Sequence, residues 1–128
     1  MSKPISESQI QRAVIRWWGF AHRGLGVASE SRLFSIPNGG KRSIITASIM
    51  KAEGARKGAV DLMLLVPRGG YHGLLLEMKR PGGQLTPEQK QFLKDHLDDG
   101  YGTAVCFTSE QAINVITFYL RLPAKPGA

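Results

Sequence analysis

Apolar positions recur along this chain with two periods, and the places where the period changes mark out its elements. Ser6-Glu7-Ser8-Gln9 has the form of a capping box, with Ser6 as N-cap and Gln9 at the third helical position. It predicts a helix from Glu7 to about Phe20, with Ile10, Ala13, Val14, Trp17 and Trp18 on its apolar face. Ser43 caps a second helix to about Glu53, with Ile44, Ile45, Ser48, Ile49 and Ala52 as its packing surface and Gly54 as its stop. Thr86-Pro87-Glu88-Gln89 combines an N-cap, a first-position proline and a capping-box glutamine. The helix it starts runs to Leu97 or Asp98, with Phe92, Leu93, His96 and Leu97 inward. Ser109 caps a fourth, Glu110 to about Leu120, striped by Ala112, Ile113, Ile116, Tyr119 and Leu120. Between the helices lie strand candidates at Leu33–Ile36, Val60–Val66, Gly73–Lys79 and Thr103–Phe107, bounded by Gly- and Pro-rich turns. The order helix, strand, helix, strand, strand, helix, strand, helix predicts an α/β fold, with a small mixed sheet flanked by helices in a three-layer or open arrangement. The passage from Gly73–Lys79 through the third helix to Thr103–Phe107 suits a right-handed parallel crossover.

The two middle strands carry charge where buried strands should not. Alternation puts Asp61, Met63 and Leu65 on one face of the first, and Leu75, Glu77 and Lys79 on one face of the second. The loop between them centres on Gly69, so in an antiparallel hairpin residue i faces residue 138 minus i and Asp61 lies opposite Glu77. Directly opposed side chains have Cβ atoms roughly 4.5–5.5 Å apart. Two carboxylates so close repel unless something compensates, and a divalent cation does so. Hard Mg²⁺ takes carboxylate, carbonyl and water oxygens, and Lys79, one step along, is placed to hold a water or screen a phosphate. The alternative is an edge hairpin whose charges face solvent or form an ordinary ion pair.

Composition narrows the class. The 128 residues, 42% of them hydrophobic, suffice for one domain with a real core and argue against disorder. Seventeen Lys and Arg against ten Asp and Glu give a net charge of +7, which favours a polyanionic partner. The basic residues gather at turns. Lys41 and Arg42 follow Pro37-Asn38-Gly39-Gly40, Arg56 and Lys57 precede Gly58, and Arg80 follows Lys79, so all five are candidate contacts to a nucleic-acid backbone. Gly58 is read as a position where backbone and substrate approach closely. Glu7 either complements its helix terminus or faces the acidic pair, and Gln89 either closes its capping box or reaches Lys79, a water or a phosphate. The lone Cys106 reads as a small buried hydrophobe, and His22, His72 and His96 lack ligand spacing. No apolar run is long enough to span a membrane and no secretory h-region is visible, so a cytoplasmic protein is expected.

Taken in order, these features resemble the VRR-NUC family, the virus-type replication–repair nucleases of the PD-(D/E)xK superfamily. The resemblance runs from about Ser6 to Leu120 and is carried by Ser6-Glu7 with Ile10-Gln11, Pro37-Asn38-Gly39-Gly40, Gly58 with Asp61-Leu62, His72-Gly73, Glu77-Met78-Lys79 and Gln89. Val60 stands where such motifs commonly have proline before the aspartate, a position that supplies no ligand. The resemblance implies a single nuclease domain over residues 1–128, core about 6–120 with short flexible tails, hydrolysing DNA phosphodiesters with Mg²⁺ or Mn²⁺. It implies Asp61, Glu77 and the Met78 carbonyl as metal ligands, Glu7 near the metal directly or through water, Lys79 at the nucleophilic water and Gln89 in support. It further implies a homodimer acting on branched DNA such as four-way junctions. A restriction-like enzyme, a flap or fork nuclease, and a non-catalytic nucleic-acid-binding protein are the competing readings.

Overall fold

In the computed structural model, residues 4–37 and 43–124 are described. Four helices, α1 (Glu7–Ala21), α2 (Ile44–Ala52), α3 (Pro87–Asp98) and α4 (Ser109–Leu120), accompany four strands, β1 (Leu33–Ser35), β2 (Leu62–Leu64), β3 (Leu74–Met78) and β4 (Gly102–Cys106). A 3₁₀ turn, Glu30–Arg32, leads into β1. The strands form one sheet in the order β1-β2-β3-β4, antiparallel up to β3 and parallel between β3 and β4. The predicted order of elements is therefore the observed one.

Local chemistry explains the helix starts. Ser6 and Thr86 each accept from the amide three residues on, and Gln9 and Gln89 return the bond to the cap's own amide, so both capping boxes form. The cap of α4 is Thr108 rather than Ser109, because the Thr108 hydroxyl accepts from the Gln111 amide and so starts the helix one residue earlier.

Helices cover both faces of the sheet. On one face α1 and α4 bury Ile10, Val14, Trp18, Ala112, Ile116 and Leu120 against Leu62, Leu64, Leu74, Leu76 and Met78. On the other face Leu93 of α3 closes over Leu75 and Val60, with Phe92, Met63 and Val105 beside them. β3 is buried along its whole length because it is central and covered on both sides. Cys106 is buried as expected, and burial pushes its thiol up to about 11.

Three expected packing faces differ. The whole of α2 lacks a buried residue, and Ile44, Ile45 and Ile49 stand exposed where periodicity made them a packing surface. Leu97 is also exposed near the end of α3, and Ala13 faces solvent on α1. Period alone locates an apolar stripe but does not supply the neighbour that covers it.

Candidate active site

β2 and β3 pair with Leu62 opposite Leu76, Met63 opposite Leu75 and Leu64 opposite Leu74, so each pair sums to 138 as the hairpin arithmetic required. The tip is less simple. Arg68 bridges Tyr71 around Gly69 and Gly70, whose φ angles of 57° and 84° match a two-residue type I′ turn. That turn is offset by one residue from the ladder, and the extra residue lies on the β2 side, between Leu64 and Arg68. The ladder register therefore holds although the turn is not centred on Gly69.

β2 ends as a ladder strand at Leu62, and Asp61 begins to diverge from β3. Its main chain stays with β1, the Asp61 carbonyl accepting from the Ile36 amide at 3.0 Å. Its side chain takes over toward β3, where the Met78 amide donates to Asp61 Oδ2 at 2.7 Å. The Lys79 amide donates the other way, to the Cys106 carbonyl on β4. Successive amides of a strand point to opposite neighbours, so Met78's must point toward β2 and would be orphaned there without the carboxylate.

Glu77 shares the α3 face of the sheet with Leu75, is 2% exposed, and approaches the first turn of α3. The Gln89 side chain divides its two ends. Its Oε1 accepts from the Thr86 amide as the capping bond, and its Nε2 donates to Glu77 Oε1 at 3.1 Å. Sequence reasoning offered the cap, Lys79, a water or a phosphate as partner; the second partner is Glu77. Each carboxylate thus has one oxygen held by the protein. Glu77 Oε2 is buried with no hydrogen-bond partner, a costly state for a carboxylate.

The electrostatics follow. Burial, then the charge of Asp61 and a hydrogen bond the two carboxyls can share only if one is protonated, push the Glu77 carboxyl from 4.5 up to about 8. Glu7 adds a smaller push the same way, and Lys79 pulls it down. Lys79 is itself buried, 8% exposed, and no ion pair holds its ammonium among the described residues. Asp61 and Glu7 also line a cleft of about 690 Å³ between α1 and the end of β1, so the Asp61 side of the acidic pair reaches this cleft.

Gly58 is explained by α3. At φ +90° an added Cβ would lie 2.6 Å from the Glu88 carbonyl carbon and oxygen and 2.9 Å from the Gln89 nitrogen. The close neighbour is thus the backbone that carries Gln89, where the sequence suggested substrate. Gly58→Ala is expected to lose roughly 2–4 kcal/mol, from the left-handed backbone and the overlap together. Urea denaturation measures this, and a change within about 0.5 kcal/mol would mean that α3 is not seated on Gly58.

The other sequence-assigned residues fall into three groups. Arg56 and Arg80 are exposed beside the site's connecting loops, and Lys57 is exposed but 3.5 Å from Glu88, an ion pair at the start of α3. Lys41 and Arg42 lie outside the described residues. Arg12 and Arg16, on the cleft wall, were not singled out in the sequence, where nothing local marks them.

Among the described residues no three His, Cys, Asp or Glu side chains converge as a metal cluster. The oxygen set on offer is different in kind: two carboxylates plus the main-chain carbonyl of Met78. With water this is a donor set for a hard divalent cation, and the unpartnered Glu77 Oε2 fits such an ion. No helix among the described residues is long and apolar enough to cross a membrane.

The VRR-NUC domain model matches residues 5–110. A solved structure described as a "VRR_NUC domain protein" aligns with a TM-score of 0.80 at 26% sequence identity, covering 95% of this chain and 93% of that one. No curated protein matches the chain. Its small mixed sheet flanked by helices is the PD-(D/E)xK-like architecture of that family. With most of its length matched by the family model and nearly all of it by the structure, this chain belongs to the VRR-NUC domain family of nucleases.

Proposed function

We propose that the protein is a Mg²⁺- or Mn²⁺-dependent endodeoxyribonuclease that acts on branched DNA, four-way junctions above all, as a homodimer. The observation that carries the hydrolytic part is the buried Glu77 carboxylate, one oxygen unpartnered, beside Asp61 and a buried lysine without an ion-pair partner among the described residues. A site built only to bind phosphate would not set two acids, one of them buried, where the anion must sit. A fold-only role leaves the cost of burying Glu77 without compensation.

In this reading Asp61, Glu77 and the Met78 carbonyl would hold the cation, with Glu7 near it directly or through water. When bound, the cation supplies charge neutralisation at the phosphate and a more acidic water. The remaining roles belong to the chain. Lys79 is a compact point charge on a packed stem, suited to orient the attacking water or to stabilise charge on the phosphate. Gln89 positions Glu77 by holding Oε1, which leaves Oε2 directed to the cation. Met78 N–H does the same for Asp61 through Oδ2. Arg56, Lys57 and Arg80, with Lys41 and Arg42, supply backbone contacts whose contribution falls with salt. The symmetry of a dimer, two sites facing one two-fold centre, suits paired incisions in a junction.

The test is a cleavage panel of linear duplex, single strand, flap, fork and four-way junction, with Mg²⁺, Mn²⁺ or chelator. Cutting is expected only with metal and fastest on the junction. Asp61→Ala and Lys79→Ala should each lower the rate by roughly 10³-fold or more while remaining folded. Folded variants that cut like the unaltered protein would reject the catalytic assignment, and equal cutting of linear duplex would reject the junction preference. Sedimentation showing a concentration-independent monomer would reject the dimer.

A further inference from the structure

The cleft that opens from Asp61 has a chemical direction. Its α1 wall begins with Glu7 at the acidic end and continues through Ser8 and Gln11 to Arg12 and Arg16. Arg12 and Arg16 are four residues apart on one helix, so they occupy the same face about 6 Å apart along the axis. Both are exposed, and neither has an ion pair or side-chain hydrogen bond among the described residues. Two unpaired guanidiniums on the wall of a cleft are bidentate anion sites, the arginine geometry that matches phosphate. A cleft of about 690 Å³ has room for a short stretch of one strand.

The charges explain where along the cleft the strand would be gripped. Phosphate is repelled at the Asp61 end unless a cation is there, and attracted at the Arg12 and Arg16 end in any case. We infer that the α1 cleft is the track of a single DNA strand, in which Arg12 and Arg16 each hold a backbone phosphate beside the one presented to Asp61 and Glu77. This rests on the nuclease reading above and adds the path by which the strand reaches the site. Arg12 and Arg16 are positioning residues, since they grip phosphates beside the reacting one. The strand is held through its backbone, so the track distinguishes no sequence.

Fluorescence anisotropy in chelator, where no cutting occurs, tests the track on a labelled single strand and a labelled four-way junction across a salt titration. Arg12→Gln and Arg16→Gln should each make the plot of log affinity against log salt shallower by about 0.7–0.9, and the double variant by about twice that. Lys94→Gln removes the same charge from α3, on the opposite face of the sheet, and should leave the slope unchanged. In cleavage with metal, the arginine variants should raise KM more than they lower kcat. Arg12→Lys should recover the slope and only part of the affinity, because lysine keeps the charge without the fork. A double variant with the unaltered slope overturns the track, as does a slope lost equally in Lys94→Gln. Arginine-dependent binding without any cleavage would keep the track and reject the nuclease reading. Cleavage with arginine-independent binding would do the reverse.

Discussion

Glu77→Gln is expected to abolish cleavage and, in metal-free buffer at pH 8, to make the protein more stable. Both effects come from the same buried charge. The carboxylate sits 2% exposed beside Asp61, and its carboxyl is pushed up to about 8. Above that pH the folded state holds a charge that the unfolded chain keeps in water, at a cost on the order of several kcal/mol. Glutamine removes the charge and keeps the shape. Its carbonyl can accept from Gln89 Nε2 as Glu77 Oε1 does, and its amide can donate to Asp61. The same change removes the anionic oxygen proposed to hold the cation, so cleavage should fall roughly 10³-fold or more. Thermal unfolding and single-turnover cleavage of one preparation report both quantities. A variant that loses activity and also stability at pH 8 would show that Glu77 is not held as an uncompensated charge.

Metal and pH should act on the stability of the unaltered protein as competitors. The sign follows from the direction of the shift. Glu77's folded value lies above its unfolded one, so its favourable contribution is complete below about pH 4.5 and is lost as pH rises through about 8. Metal-free protein should therefore lose stability across that window, apart from the acid-side effects of other carboxylates. Mg²⁺ or Mn²⁺ at a hundredfold excess over its dissociation constant should restore about 2.7 kcal/mol. The gain should be large at pH 8 and small at pH 5, where a proton already occupies the site. Binding near pH 7 should release protons, visible as a calorimetric enthalpy that changes with the buffer's ionisation enthalpy. A metal effect independent of pH, or absent, would place the ion away from Glu77.

Much of this site is legible in the chain because its parts lie close in sequence or obey a fixed period. Asp61 and Glu77 belong to one hairpin, where alternation and a short Gly-rich tip constrain the register tightly. The offset turn shows how far such arithmetic reaches: it placed the ladder and missed the extra residue that absorbs the difference at the tip. Gln89 was visible twice, as a cap and as a polar group on an inward face, but its contact with Glu77 requires the crossover that lays α3 on the sheet. Arg12 and Arg16 carried no local mark at all, because an arginine on an exposed helix face looks the same whether or not a cleft lies beside it.

The exposed α2 shows the converse. Ser43, Ile44, Ile45 and Ile49 have the cap and apolar spacing of a packed helix, and the helix forms, yet none of its residues is buried. An amphipathic pattern states what a helix would bury, and only the arrangement of neighbours states whether it does.

By itself, then, the sequence determined the helices with three of their four caps, the strand order along the chain, and the pairing that sets Asp61 against Glu77. These depend on residues within a turn, a hairpin or a helical period of one another. Tertiary structure alone decided that Gly58 receives the first turn of α3, that Gln89 spends one end on its cap and the other on Glu77, and that Glu77 Oε2 is left buried without a partner. It also decided that Asp61 borders a cleft walled by Arg12 and Arg16. Burial and unmet hydrogen bonds are properties of what surrounds a group. A chain read in one dimension carries the group but not its surroundings.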